Sequence, residues 1–339
     1  MITERALKIC LINGDGVGKE VIPAAAEVLS ALGLDIEFTE AFAGFEYFKQ
    51  TGNAISAATL AAVEAAGVAM FGATPSPSTK VDGYRSPILA LRKAFDLYAN
   101  LRPVQSLPGS FSRQNLDLLI VRENTEGLYA GRERREGDTA IAERVITKRG
   151  SERIARVAFE QASKRSAVSG QSSVTIVHKA NVLKITDGLF RECCLNVAKE
   201  FPEVTVKEML IDAMSMRLVR DPENFDVIVT TNLFGDILSD EASALIGGLG
   251  VAPSANIGQK VAVFEPVHGS APDIAGQGIA NPIGAILSAA MLLDHVGQPS
   301  EANRVRQAVN ATLTQGVLPK DLGGSAKTSE VTKAIKSNL

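Results

Sequence analysis

The sequence predicts an α/β protein, and three features predict it. Short apolar runs of strand length alternate with stretches of helical periodicity, glycine- and proline-rich connectors separate them, and 339 residues at 45% apolar composition suffice for two subdomain cores. LKICLI at 7–12 is the first strand-length run and is followed by a helical pattern from Glu20 to Leu32. VAMF at 68–71 precedes the connector GATPSPST at 72–79 and a helix from Ile88 to Phe95. SSVTIVH at 172–178 leads to a helix from Asp187 to Glu200, and DVIVTT at 226–231 to one from Asp236 to Ile246. A second connector, GGLGVAPSANIG, spans 247–258. The apolar run Ile283 to Leu293 follows Asn281-Pro282, is about half the length of a membrane span and reads as a buried helix. LYAGRERREGDTAIAERVIT at 128–147 stands apart: charged, alternating and without a helix, it reads either as a hairpin arm or as a solvated surface.

Charge and cysteine content exclude several classes. With 35 Lys plus Arg against 38 Asp plus Glu, the net charge is -3 and no block of like charge suggests a nucleic-acid tail. Cys10, Cys193 and Cys194 are odd in number, and the adjacent two are poorly placed to pair, which fits a reducing compartment. Residues 1–20 lack the features of a secretion signal or transit peptide, so a cytosolic, non-membrane protein is expected.

Several groups of residues can carry chemistry. Asp236 and Asp240 are spaced i, i+4 on a helix and can share a hard cation, although acids in a first turn also simply complement the helix dipole. Asp212, between apolar residues of a segment expected to be buried, is a third acid that a divalent ion would explain. Arg92, Arg102 and Arg122 stand near strand or helix ends, where guanidinium forks can grip a di- or tricarboxylate. Lys179 follows His178 at a strand end and precedes Asn181; it is either a solvated lysine or, if its pKa is lowered, a base. Tyr129 is a proton donor or a half-buried ring.

The cofactor signals are unusual. Glycines at 14, 16 and 18 give G-x-G-x-G, so the Rossmann fingerprint is absent, and no P-loop motif occurs. The stretch EPVHGSAPDIAGQGIANP at 265–282 instead clusters glycines with a histidine and an aspartate, as a loop approaching a polar ligand closely would.

Seven segments, GDGVGKEV, LRKAFDLYANLRP, VRENTEGLY, HKANVLK, DAMSMRLV, NLFGDILSDEAS and EPVHGSAPDIAGQGIANP, occur in the order and spacing of one family. The chain resembles, over essentially its whole length, the β-decarboxylating dehydrogenases, which comprise the isocitrate, 3-isopropylmalate, homoisocitrate and tartrate enzymes. The resemblance implies a non-Rossmann fold of two open α/β domains sharing a large mixed sheet. It further implies a large cofactor-binding domain of residues 1–95 plus 248–339 and a small domain of 96–247, which carries the dimer interface and a clasp arm at about 128–147.

A homodimer with shared active sites is implied as well. By position, Arg92, Arg102 and Arg122 would bind substrate carboxylates, and Asp236 and Asp240, with Asp212 from a second copy, would hold Mg²⁺ or Mn²⁺. Lys179, also from the second copy, would take the hydroxyl proton; Tyr129 would protonate the enol; Asn181 would lie near nicotinamide and substrate. The dinucleotide would contact Glu265, His268, Gly269, Ser270, Ala271, Asp273, Ile274 and Asn281. Asp273-Ile274 stand where NADP-dependent relatives carry Lys-Tyr, so NAD is expected: a carboxylate accepts ribose hydroxyls and repels a 2′-phosphate.

Substrate choice is expected to lie in GYRSPILALR at 83–92. Isopropylmalate enzymes show G-L-L-x-L-R there and isocitrate enzymes S-x-N-V-A-L-R, whereas Ser86-Pro87-Ile88-Leu89 resembles the S-P-I-V-A-L-R of fungal homoisocitrate dehydrogenases. Homoisocitrate is therefore the expected substrate, on the α-aminoadipate route to lysine, with Ser86, Tyr84 and Arg85 as polar contacts. Leu89 leaves 3-isopropylmalate as an alternative, followed by isocitrate, with tartrate and malate last. A non-catalytic regulatory subunit of the same fold, or a carboxylate sensor without NAD, would be expected to lack Lys179, Tyr129 or the aspartates, or the loop at 265–282, all of which are present.

Overall fold

A computed structural model describes residues 6–75, 77, 79, 81–169 and 172–339; residues 1–5 of the N-terminal segment and residues 76 and 78 of the connector at 72–79 lie outside the described residues. The chain separates into two compact units, one of Met1–Leu97, Leu107–Arg113 and Ile246–Leu339, the other of Tyr98–Ser106 and Gln114–Leu245.

The first unit opens with β1 (Leu7–Ile12), α1 (Gly18–Ser30), β2 (Ile36–Ala41), α2 (Phe45–Thr51), α3 (Ala57–Ala66), β3 (Val68–Phe71) and α4 (Pro87–Ala94). The second contains β4 (Ala99–Gln105), β5 (Asp117–Glu123), β6 (Glu133–Glu136), β7 (Thr139–Ala142), α5 (Lys148–Ser169), β8 (Ser173–His178), α6 (Thr186–Ala198), β9 (Thr205–Leu210), α7 (Ile211–Arg220), β10 (Val227–Thr230) and α8 (Asn232–Ser243). The chain then returns to the first unit for β11 (Pro253–Ile257), β12 (Ala262–Pro266), α9 (Ile283–His295), α10 (Pro299–Thr314) and α11 (Thr328–Ser337).

In the first unit the strands run in the order β2-β1-β3-β12-β11, parallel except for the antiparallel β11–β12 pair. The expected strand LKICLI is fully realised, and its Ile9, Cys10 and Ile12 are buried to the last atom. The apolar run after Asn281-Pro282 is the buried helix α9, with Ile283, Ile286, Leu292 and Leu293 fully enclosed. Helix α1 begins two residues before the predicted Glu20, and the glycines explain it. Gly14 and Gly16 both take positive φ, and a Cβ at Gly16 would lie 2.0 Å from the Ser270 carbonyl oxygen. These glycines let the turn pack directly on the backbone of a neighbouring loop, with Val17 N–H donating to Ser270 O at 3.0 Å. Asp15 between them accepts the first amides of α2, from Phe45 at 2.6 Å and Glu46 at 3.0 Å. The G-x-G-x-G run is thus a packing turn.

In the second unit the order is β4-β5-β10-β8-β9; only the β4–β5 pair is antiparallel. Register aligns Arg122 with Thr230, Thr230 with Val177, and His178 with Leu210. The carboxyl ends of four neighbouring parallel strands therefore lie in a row, the edge where open α/β sheets place ligands. The segment 128–147 forms a two-stranded hairpin, β6 against β7, solvent-exposed along most of both strands. Among the described residues no helix is long and apolar enough to cross a membrane.

Candidate active site

Arg122 is the centre of the carboxyl edge of the second unit. It ends the apolar run of β5 at 1% exposure, so its guanidinium must find partners inside the protein. Asn232 supplies two acceptors: Arg122 Nε donates to the Asn232 carbonyl at 2.9 Å, and Nη2 to its Oδ1 at 2.8 Å. Nη1 turns to Asp236 Oδ1 at 2.5 Å. Gly235 makes this possible, because a Cβ there would stand 2.6 Å from Arg122 Cγ. The run Asn232, Gly235, Asp236 is one cradle for one arginine.

Arg102, on β4, is held in the same manner. Nε donates to the buried Asn100 Oδ1 at 2.8 Å, and Nη1 to Ser239 Oγ at 2.6 Å and Asp240 Oδ1 at 3.1 Å. Its Nη2 also lies 3.4 Å from Asp236 Oδ1. Tyr129 sits in a short 3-10 turn at the foot of the hairpin, where its hydroxyl donates to Asp236 Oδ2 at 2.5 Å and its ring centroid lies 5.2 Å from the Arg122 guanidinium carbon.

Helix α8 starts at Asn232, four residues before the predicted Asp236, because Thr231 leaves β10 extended and Gly235 N–H already bonds back to it. Asp236 and Asp240 thus lie in the second and third turns, beyond the orphan amides of the helix start, and complementing the dipole does not account for them. They fit a hard cation instead. Both are carboxylates one turn apart, and the Asp240 carboxyl is raised above its usual value by burial and by Asp236, against the pull of Arg102. A divalent ion relieves that repulsion, with water and substrate completing its oxygen shell.

Asp212 corrects one expectation, that of burial: it is largely exposed in the first turn of α7. Within a single chain it stands apart from the other two acids, and among the described residues no group of three His, Cys, Asp or Glu gathers, as a ligand lent by a second copy requires. Its carboxylate accepts from Lys179 Nζ at 2.5 Å, and this hydrogen bond holds its pKa below the ordinary carboxylate value. Within one chain Lys179 is therefore paired with an acid. Asn181, two residues on, is exposed.

The remaining expected residues lie in the first unit. Arg92, in the last turn of α4, is buried, with Nη2 3.6 Å from Glu265 Oε1, which also accepts from Asn256 Nδ2 at 2.7 Å. Ser86 precedes that helix without capping it, Leu89 is 41% exposed, and the Tyr84 hydroxyl is occupied by the Pro75 carbonyl at 2.9 Å. After β12 the loop carries His268, whose pKa burial lowers; Nδ1 contacts the Gly269 carbonyl and Nε2 is enclosed without a hydrogen-bond partner. Gly269 is exposed and Ser270 buried, and Ala271 takes φ +39. Asp273 is exposed beside the partly covered Ile274. A neutral imidazole with an unused nitrogen and an accessible carboxylate, on a loop of glycines, fit a nucleoside ligand. Asn281 is used internally: its amide donates to Asp321 at 3.0 Å and accepts from Ile283 N–H at 3.0 Å.

Sequence reasoning missed Asn100, Asn232, Gly235 and Ser239. Asn232 directly after a strand was the one available signal; nothing in the spacing ties it to an arginine 110 residues earlier.

Comparison with known proteins places the chain and its fold. The isocitrate/isopropylmalate dehydrogenase family matches residues 8–335. An isocitrate/homoisocitrate dehydrogenase of Thermus thermophilus is 54% identical over 98% of this chain and 99% of its own length. A homoisocitrate dehydrogenase of Methanocaldococcus jannaschii is 52% identical, covering 96% of this chain and 95% of the relative. The crystal structure of isocitrate dehydrogenase from Methylococcus capsulatus superposes with a TM-score of 0.92 at 43% identity over 98% of each chain. Enzymes of this kind use a divalent metal and NAD(P). With matching fold and near-complete coverage, the chain belongs to the isocitrate/isopropylmalate dehydrogenase family, the β-decarboxylating dehydrogenases.

Proposed function

We propose that the protein is an NAD-dependent enzyme that oxidises and decarboxylates a 3-substituted malate, with homoisocitrate as substrate and 2-oxoadipate as product, a step of lysine synthesis through α-aminoadipate. The observation that carries the reading is the pair of buried guanidinium groups, Arg102 and Arg122, turned onto Asp236 and Asp240 beside the Tyr129 hydroxyl. Fixed forks of this kind suit a substrate with several carboxylates, and an acid pair beside them suits a cation.

Arg102 and Arg122, together with Arg92, hold the carboxylates and fix the hydroxyl-bearing carbon. Lys179 from a second copy of the chain takes the hydroxyl proton as hydride leaves that carbon, and after loss of carbon dioxide Tyr129 returns a proton to the new carbanionic carbon. A Mg²⁺ or Mn²⁺ ion held by Asp236 and Asp240, with Asp212 from the second copy, would supply stabilisation of negative oxygen, and NAD the hydride acceptor. Asp273 would accept the ribose hydroxyls, and Asn181 would meet nicotinamide and substrate.

The choice of homoisocitrate is supported by Ser86-Pro87-Ile88-Leu89 at the head of α4 and by the homoisocitrate dehydrogenases among the relatives, at 54% and 52% identity. A second reading, 3-isopropylmalate, is favoured by the exposed Leu89, an apolar contact for an isopropyl group, and a 3-isopropylmalate dehydrogenase of Methanothermobacter thermautotrophicus is 49% identical. NAD reduction with Mg²⁺ or Mn²⁺ across homoisocitrate, 3-isopropylmalate, isocitrate, tartrate and malate decides it. The highest kcat/KM is expected with homoisocitrate; a higher value with any other would reassign the substrate.

A further inference from the structure

Asp187, in the first turn of α6, has no exposed surface, and its carboxylate is not part of the group built around Arg122. One oxygen, Oδ2, accepts the backbone N–H of Lys179 at 2.6 Å; the other, Oδ1, lies 2.8 Å from Arg144 Nη2. The same Nη2 donates to Thr231 Oγ1 at 2.8 Å, and the Arg144 guanidinium carbon lies 4.6 Å from the centroid of the Phe234 ring. Thr231 and Phe234 form the start of α8, the helix of Asp236 and Asp240.

Arg144 stands just past β7, where the return strand of the hairpin closes. Its neighbour Val145 is locked to Gly127 by two backbone bonds, of 2.8 and 3.2 Å, and Gly127 immediately precedes the turn of Tyr129. One guanidinium therefore joins three pieces: the root of the hairpin, the turn of Lys179 and the beginning of α8.

A carboxylate removed from water costs several kcal/mol unless compensated, and the compensation here is one guanidinium and amide N–H donation. If Arg144 moves, Asp187 is left buried with its charge unpaired, and the Lys179 amide loses a fixed acceptor. The turn itself is short, with Val182 and Leu183 bonding back to the Lys179 carbonyl at 3.0 and 2.8 Å, so a shift at the Lys179 backbone carries its ammonium with it.

We propose that Asp187 is a positioning residue for Lys179, and that Arg144 couples the hairpin root to that position. The inference rests on the reading of Lys179 as the base and deepens it: the seat of the hairpin sets where the amine stands.

The test compares Asp187→Asn, Asp187→Ala, Arg144→Lys, Arg144→Met and the double variant Asp187→Asn/Arg144→Met. It reads kcat, KM for homoisocitrate and NAD, Tm, and amide hydrogen exchange over 179–183. Asp187→Ala and Arg144→Met are expected to lower kcat at least about ten-fold, with both KM values within about two-fold, and to speed exchange by a similar factor. Arg144→Lys should recover most of kcat, and Asp187→Asn, which keeps an acceptor for the Lys179 amide, should lose less than Asp187→Ala. The double variant should lose less than the sum of its parts, because each single change leaves a buried charge alone.

A folded Asp187→Ala protein with normal kcat overturns the proposal. So does loss of kcat that comes only with a fall in Tm and unaltered exchange. If the wild-type protein oxidises none of the malates, it is the functional reading that fails, and the exchange comparison alone decides the coupling: acceleration in Arg144→Met supports it, and no change overturns it.

Discussion

Arg122 shows how much of this site is set by groups that never need touch a substrate. Three of its contacts go to Asn232, and the fourth direction is left for Asp236. Asn232→Ala keeps the backbone carbonyl but removes the Oδ1 that Arg122 Nε and Nη2 share, a loss of about 1–3 kcal/mol in the geometry that grips a carboxylate. The expected result is KM for the hydroxy acid raised roughly ten-fold with KM for NAD unchanged. Gly235→Ala should do the same from the opposite side, because its methyl would overlap Arg122 Cγ at 2.6 Å. Steady-state kinetics with each substrate varied in turn check both; equal rises in the two KM values would point to general damage. The loop after β12 offers a separate residue-scale test. Exchanging Asp273→Lys with Ile274→Tyr removes the exposed carboxylate and supplies a cation, so NAD should bind more weakly and NADP more tightly by calorimetry. Unchanged NAD affinity would remove Asp273 from the ribose site.

At the scale of elements, helix α8 carries both candidate metal ligands on one face, and their ionisation gives a prediction with a definite sign. The Asp240 carboxyl is raised above its ordinary value by burial first and then by Asp236. An acid raised in this way binds its proton more readily folded than unfolded. Its contribution to stability is therefore present below the ordinary carboxylate range and lost as pH rises through the folded pKa. A bound cation acts in reverse, since it stabilises only the ionised pair. The rise in Tm produced by Mg²⁺ should thus be larger at about pH 7.5 than at about pH 5, and it should shrink in Asp240→Asn. A rise independent of both would show that the ion binds elsewhere.

The same helix marks what the sequence could disclose. Asp236 and Asp240 were legible from their spacing, as β1, β3 and α9 were from apolar runs, because local periodicity records which face is covered. The start of α8 at Asn232 was not, since a helix beginning on a polar residue directly after a strand leaves no apolar repeat to count. Asp212 was misjudged for the opposite reason: apolar neighbours suggested burial, yet Met216 and Val219 on its own helix are themselves 52% and 58% exposed. Contacts such as Arg122 to Asn232 or Arg144 to Asp187 join distant stretches through sheet register, which no single-sequence pattern carries.

On the scale of the whole molecule, the placement of Lys179 and Asp212 argues for assembly. Both belong to the proposed chemistry, yet in one chain they pair with each other and Asp212 does not join Asp236 and Asp240 in a metal group. Around them Ile185, Val182, Met216, Val219 and Ile237 expose large apolar side chains, a surface suited to burial against a second copy. If two copies each lend Lys179 and Asp212 to the other, defects on opposite sides of the shared site must complement. Lys179→Met and Asp236→Asn should each be inactive as pure proteins while still binding NAD. Unfolded together and refolded at equal amounts, they form mixed dimers in which one of the two sites has both residues intact. Random pairing makes half of the dimers mixed, so about a quarter of wild-type activity should return. Sedimentation would give the dimer mass, and the assay the recovered rate. No recovery from a properly mixed dimer would mean that Lys179 serves its own chain, and the shared site would have to be abandoned even if the metal and the arginines kept their roles.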